Sequence, residues 1–362
     1  MRVLHVVVTD AFAGVEQHVA RLAQAQAAHG HTVTVLGGDA RGTARLAPHV
    51  RHEPAASLRA AAAAVRRHAR GADVVHVHMT AAELAAALGL AGLRAAPPVV
   101  TTRHFAAHRG SGPLGPAVAR VAARRVRAQV AISRFVAEHV EGDSTVVPPG
   151  LDDAGTPPDA GARSRVVLVV QRLEAEKDTA TALRAFAGSG LAAGGWVLRV
   201  AGDGAQRDAL GRLAADLGLA RSAELLGRRD DVADLMRDAT VLVAPCPREG
   251  LGLSVLEAMR AGLPVVASAA GGHLETAGAV PGAPLFAPGD HAAAARLLFE
   301  VATDAAARRR LAAGGRAVVR RATPQAQVAA TDAVYRGVLP AAGRRVGGAP
   351  GGRSAADAGV TT

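Results

Sequence analysis

The chain alternates twice between short β-branched runs and longer Ala/Leu/Arg stretches of helical period, and this repetition limits its possible folds more than any other feature. In residues 1–150 the strand candidates are Val3–Val8, Val33–Leu36, Val74–His78, Val99–Thr102, Gln129–Ile132 and Thr145–Val147. Helical period falls near Gly14–His29, Ala56–Arg70, Ala81–Leu90 and Leu114–Arg127. Residues 151–164, LDDAGTPPDAGARS, are polar, carry Pro157 and Pro158 and have no period, so they read as a linker. The alternation then restarts. Strands are expected at Val166–Val170, Val197–Ala201, Glu224–Leu226, Val241–Ala244 and Val265–Ala267. Helices are expected near Thr179–Phe186, Gln206–Leu217, Val232–Arg237 and Ser254–Ala261, and helical pattern runs on from His291 to Val338. Apolar runs that do not alternate suit strands buried on both faces of a parallel sheet. The α/β pattern therefore predicts two Rossmann-like doubly wound domains, 1–150 and 165–338, facing a cleft. Residues 339–362, rich in Gly, Ala and Arg, are expected to be disordered.

Composition narrows the function classes. Aromatic residues are 2% of the chain, so the cores must be built from Val, Leu and Ala, and base-stacking platforms for single-stranded nucleic acid are lacking. No nucleic-acid motif is present, and no nucleic-acid partner is expected. The net charge is +11, with 17 Arg against 9 acids in residues 1–150. An Arg-rich solvated surface explains this charge. An anionic membrane surface touching the N-terminal domain, where Arg120, Arg124, Arg125 and Arg127 cluster, is the second reading. The single Cys246 excludes an intrachain disulfide and a Cys-based zinc site. The apolar run in MRVLHVVVTD is too short for a signal sequence, and no run approaches 18 apolar residues. The expected location is cytoplasmic, with peripheral contact to the inner face of the membrane on the second reading.

The strongest motif is PCPREGLGLSVLEAMRAGLPVVAS, residues 245–268. A strand ends at Ala244, a loop carries Glu249, Gly250 and Gly252, and a helix opens near Ser254. Amides around Leu251, Gly252 and Leu253 would face an anion at the helix start. Glu249 can reach a sugar from the loop, and Glu257 can accept hydrogen bonds from ribose hydroxyls. Glu257 has a plainer alternative, since Ser254-Val-Leu-Glu257 also reads as a capping box. The segment resembles retaining glycosyltransferases of the GT-B fold, family 4, whose donor-binding stretch pairs an EGFG-like loop with EAMAxGxPVV. Here it reads EGLGLSVLE and EAMRAGLPVVAS, with Leu251 where Phe is common.

Other segments keep the same family order. VVLVVQRLEAEKD, residues 166–178, is similar to GRL-x3-KG. Its Arg172 and Lys177 lie between a strand and a helix, where two cations can clamp a diphosphate. Lys177 is the only Lys, and a surface pair of Glu174 with Arg172 or Lys177 is the alternative. AFAGVEQHVARLAQAQAAHGHTVTVLGG, residues 11–38, resembles the family's opening, with Ala13-Gly14 in place of its glycine pair. Gly14 would bring a helix N–H to the diphosphate from the other domain. VVTTRHF carries His104, which the resemblance places on the transferred sugar. GRRDDV places backbone near Arg228 on the base. AISRF, VVPPGLD and GGHLETAG resemble further family segments, and GDGAQR resembles a structural turn. His76 and His78 share one face of a strand, but no third metal ligand is signalled. No D-x-D motif occurs, so no metal is expected, and Arg172, Lys177 and helix N-termini would do the ion's work.

The resemblance implies a retaining glycosyltransferase with no cofactor, using a nucleotide-diphosphate sugar as co-substrate and a hydroxyl acceptor in a glycolipid, polysaccharide or small molecule. Two alternatives remain. One is a same-fold enzyme acting on a sugar phosphate or rearranging a nucleotide sugar. The other is a non-catalytic subunit binding a partner.

Overall fold

In the computed structural model, residues 1–110, 115–152, 155 and 163–340 are described. The tail beyond 340 and most of the expected linker lie outside them. The first sheet comprises β1 (Arg2–Val6), β2 (Thr32–Leu36), β3 (Arg51–Glu53), β4 (Val74–His78), β5 (Val99–Arg103), β6 (Val126–Ala131) and β7 (Thr145–Val146). Its helices are α1 (Gly14–Ala28), α2 (Ala40–Leu46), α3 (Leu58–His68), α4 (Met79–Gly89), α5 (Gly115–Ala123) and α6 (Arg134–Glu138). The second sheet comprises β8 (Val166–Val170), β9 (Val197–Ala201), β10 (Ala223–Gly227), β11 (Val241–Ala244), β12 (Val265–Ser268) and β13 (Leu285–Phe286). With it come α7 (Thr179–Gly188), α8 (Arg207–Asp216), α9 (Val232–Asp238), α10 (Leu253–Arg260), α11 (His291–Thr303), α12 (Ala305–Val319) and α13 (Pro324–Val338).

Both sheets are parallel and share one topology. The first runs β3-β2-β1-β4-β5-β6-β7 and the second β10-β9-β8-β11-β12-β13. In each, strand order reverses beside the first strand, between β1 and β4 and between β8 and β11. Open α/β sheets bind ligands outside the carboxyl ends of strands at such switch points. The loops leaving β1, β8 and β11 are those that carry Gly14, then Arg172 and Lys177, then Glu249.

Pleating divides the first core in two. Leu4 and Val6 of β1 pack with Ala61, Val65 and Ala82 under α3 and α4. Val3 points the other way, toward Val19 and Ala23 of α1 and Tyr335 of α13. In the second domain, Val167, Leu168 and Val169 are fully buried, as a run without alternation requires. Four elements do not show in the sequence pattern. β3 and β13 have three and two residues, and α2 and α6 are too short to display a period; Asp39 and Ser133 cap these two helices. α13, inside the expected 165–338 unit, crosses back and buries Tyr335 in the first domain, because its apolar stripe fits the exposed side of α1.

The GDG turn has a visible role. Gly202 (φ 149°) brings its backbone against Gln171, the residue before Arg172, and a Cβ there would lie 1.8 Å from the Gln171 carbonyl oxygen. Gly202→Ala should cost about 1–3 kcal/mol or more of stability and loosen the loop after β8. Urea unfolding checks this: an unchanged midpoint would remove the turn's structural role.

Candidate functional site

Lys177 lies on a single 3₁₀ turn, Ala175–Lys177, ended by Asp178 in the left-handed region (φ 49°), which caps α7 through the Thr181 N–H. This turn aims the ammonium at the loop after β11. Lys177 Nζ donates to Glu249 Oε2 at 2.7 Å, with both side chains about four-fifths buried. Burial alone would push the Glu249 carboxyl up, but the Lys177 charge and hydrogen bond outweigh it and leave the group below its ordinary range. The alternative pairing of Lys177 with Glu174 does not form. Arg172 is half-exposed and joins Glu176 at 2.7 Å, so it lies on the surface of the same loop rather than against Glu249.

The EGLG loop is held from both sides. Ser133 Oγ of the first domain donates to the Gly250 carbonyl at 2.7 Å, and Gly272 N donates to the Glu249 carbonyl at 2.8 Å. Gly250 stands so near the His104 carbonyl that a Cβ would reach within 2.9 Å of it. Gly252 (φ 88°) is the N-cap of α10, one residue earlier than expected, and no side chain caps this helix. The capping box of Ser254 with Glu257 is therefore not formed, because the αL glycine occupies the cap. The first amides of α10 are left for an anion. Gly14 opens α1 opposite them: a Cβ on Gly14 would lie 3.7 Å from Leu253 Cδ1. Two helix N-termini thus converge from the two domains.

Glu257 takes a partner that the sequence did not signal. Arg21 of α1 donates to Glu257 Oε1 at 2.7 Å and stands 3.4 Å from Asp152. A second bridge, Arg45 to Asp230 at 3.2 Å, also crosses between the domains. These pairs line a cleft of about 470 Å³ together with Val170 and Arg229, a volume suited to a small organic ligand. Arg228 is exposed next to it, with its neighbours Arg229 and Asp230 in the lining. Lys177 and Glu249 do not line that volume. Two segments noted only for their order meet in space: Glu275 of GGHLETAG accepts from the Arg134 and Phe135 amides of AISRF and so caps α6 across the domain boundary.

His104 is buried, and its Nε2 lies 3.1 Å from His78 Nδ1. The missing third partner of His76 and His78 is His5, paired in register with His76 on the neighbouring strand. Ring nitrogens of the three lie within 4.8 Å of one another, a spacing open to an ion, yet each ring already has hydrogen-bond partners.

Two parallel-sheet Rossmann-like domains facing a cleft, each bringing a helix N-terminus toward the other, define a protein of the GT-B fold. Residues 158–318 match the family described as glycosyl transferases group 1, and residues 12–154 match glycosyltransferase family 4. The chain belongs to these GT-B group 1 glycosyltransferases. It is 40% identical over 136 residues to the 2-deoxystreptamine N-acetyl-D-glucosaminyltransferase of Streptomyces fradiae, a match covering 37% of this chain and 32% of that protein. It is 35% identical over 154 residues to the 2-deoxystreptamine glucosyltransferase of Streptomyces kanamyceticus, covering 42% and 39%. The chain thus spans about a third of the length of the curated relatives it matches. Among solved structures, HepE of Anabaena, in complex with UDP and glucose, superposes with a TM-score of 0.74 at 20% identity, covering 93% of this chain and 99% of that one. Sucrose-phosphate synthase from Thermosynechococcus elongatus superposes with a TM-score of 0.76 at 20% identity, covering 93% and 98%.

The Lys177–Glu249 pair carries a pH signature. A carboxylate whose folded pKa is depressed adds stability above its unfolded value near 4.5, and that contribution is lost as pH falls through the lower folded value. Lys177→Met should therefore lose about 1–3 kcal/mol at pH 7, and the gap to wild type should close on acidification below pH 4.5. Urea titrations at several pH values test this; a gap independent of pH would place the stabilisation elsewhere.

Proposed function

We propose that the protein transfers a sugar from a nucleotide diphosphate donor to a hydroxyl acceptor with retention of configuration and without a metal. The observation that carries this reading is the meeting of Lys177, Glu249 and the uncapped α10 N-terminus at the β8/β11 switch point, beside a cleft that Glu257 lines. Breaking the bond between the sugar and the donor phosphate throws negative charge onto the diphosphate. In this reading Lys177, Arg172 and the amides of Leu251, Gly252 and Leu253 receive it. Glu249 holds the Lys177 ammonium in position and can accept from sugar hydroxyls, and Glu257 takes the ribose. Gly14 and His104 supply the first domain's contacts, with His104 at the transferred sugar. Base recognition falls to backbone near Arg228. Metal independence rests on the lack of a D-x-D motif.

The acceptor side falls to the first domain. Met79, held at φ 72° after β4, and Phe105, after β5, expose apolar side chains at neighbouring strand ends. Contact with an anionic membrane is supported separately: on the packed pair α4 and α5, Leu88 and Val121 are exposed, and so are Arg120, Arg124 and Arg127 near the end of α5. No helix among the described residues is long and apolar enough to cross a membrane.

Donor turnover and nucleotide affinity, measured together with UDP-, GDP-, ADP- and TDP-sugars in EDTA, test the proposal. Lys177→Ala should cut turnover about 10²–10³-fold. Glu249→Ala should impair turnover with less effect on free-nucleotide affinity than Glu257→Ala. NMR of the first-formed product should show the donor's anomeric configuration. Turnover that needs Mn²⁺ or Mg²⁺ would overturn metal independence. Nucleotide binding without turnover of any sugar would favour a non-catalytic subunit. For the membrane contact, vesicles containing anionic lipid should bind more protein than neutral vesicles; equal binding would remove that part of the reading.

A further inference from the structure

Below the cleft, the first domain buries polar groups that the proposed reaction does not use. They form one connected hydrogen-bond chain. Gln26 of α1 approaches His5 Nε2 through its side-chain carbonyl at 2.7 Å. His5 Nδ1 lies 3.0 Å from His78 Nε2, and His78 Nδ1 lies 3.1 Å from His104 Nε2. A neutral imidazole donates from one nitrogen and accepts at the other. With the Gln26 carbonyl as acceptor, His5 must carry its proton on Nε2, which forces the proton of His78 onto Nε2 and then that of His104 onto Nε2. The other end of the Gln26 amide is fixed as well. Its Nε2 donates to the Tyr335 hydroxyl at 3.2 Å, that hydroxyl donates to His76 Nδ1 at 2.6 Å, and His76 Nε2 then donates to Thr102 Oγ1 at 2.6 Å.

We propose that Gln26 is a positioning residue that fixes the tautomer of His104 through His5 and His78, so that His104 offers a bare Nδ1 lone pair to the hydroxyl group of a bound molecule. This deepens the reading above, resting on His104 facing the sugar or its acceptor. His104 Nδ1 meets no protein group among the described residues, and it is not among their sealed, unpartnered atoms. A lone pair there accepts a hydroxyl proton, whereas a protonated Nδ1 would have to donate. Tyr335 makes the C-terminal helix α13 part of the device, since its hydroxyl orients the Gln26 amide. The surroundings keep the rings uncharged. Burial pushes His5 down to about 4 and His18 to about 3, and pushes His76, His78 and His104 well below their ordinary value. The groups facing the chain are the His18 ring from α1, edge-on to His104, and Tyr335 from α13. Arg21 adds positive charge that further disfavours protonation of His18, and Gln327 lies 3.4 Å from His18.

The test is ¹⁵N NMR of the protein labelled at histidine, in which ring correlations separate Nδ1–H, Nε2–H and imidazolium forms. In the wild-type protein at pH 7, His5, His78 and His104 should all be neutral Nε2–H tautomers. Gln26→Met, close in size but without the carbonyl, should give His104 a mixed tautomer population. It should lower kcat at least tenfold while leaving donor KM and nucleotide affinity within twofold. Nδ1–H or imidazolium forms at any of the three rings in wild type would overturn the proposal, and so would Gln26→Met with unchanged kcat. The tautomers are read without turnover, so failure of the glycosyltransferase reading would appear separately, as no donor turnover with the Nε2–H pattern intact.

Discussion

The cleft depends on how closely two backbones approach at the loop after β11. Gly250 runs against the His104 carbonyl, and Gly272 runs so near Leu251 that a Cβ would fall 2.3 Å from its Cα. No side chain fits at either point. The loop can therefore touch the first domain on one side and the Gly271–His273 turn on the other, which sets the start of α10. Because Gly252 caps that helix through backbone conformation alone, its first amides stay free. Glu249 and Glu257 are placed by the same loop and helix, one toward Lys177 and the other toward Arg21.

Charge is divided between the domains in a way that follows from this packing. The second domain lines the cleft with Glu257, Asp230 and Arg229 and holds the Lys177–Glu249 pair beside it. Beneath its surface, the first domain holds neutral imidazoles, kept uncharged chiefly by burial. Arg21 and Arg45 are its charged reach into the cleft, paired with Glu257 and Asp230.

The double α/β alternation was legible in sequence because buried parallel strands are continuous apolar runs, as in Val166–Val170. β3 and β13, of three and two residues, and α2 and α6, of seven and five, carry too few positions to show their pattern. The loop after β11 was legible for a different reason: its glycines and glutamates lie within one short segment. Pairs that join distant segments were not. Lys177 meets Glu249 across 72 residues, and Arg21 meets Glu257 across 236; only the juxtaposition of α1 and α10 makes the second possible. His5 joins His76 through strand register, which no local spacing announces. Arg172 keeps its place in the motif, yet its visible partner is the plain surface carboxylate of Glu176.

The central claim is that donor phosphate sits between Lys177 and the start of α10. A crystal structure with a bound nucleotide diphosphate tests it most directly. The account predicts terminal phosphate oxygens within about 3 Å of Lys177 Nζ and of amides among Leu251–Leu253, ribose hydroxyls on Glu257, and Arg21 moved off that carboxylate. A nucleotide bound elsewhere, with the Lys177–Glu249 and Arg21–Glu257 pairs undisturbed, would contradict it.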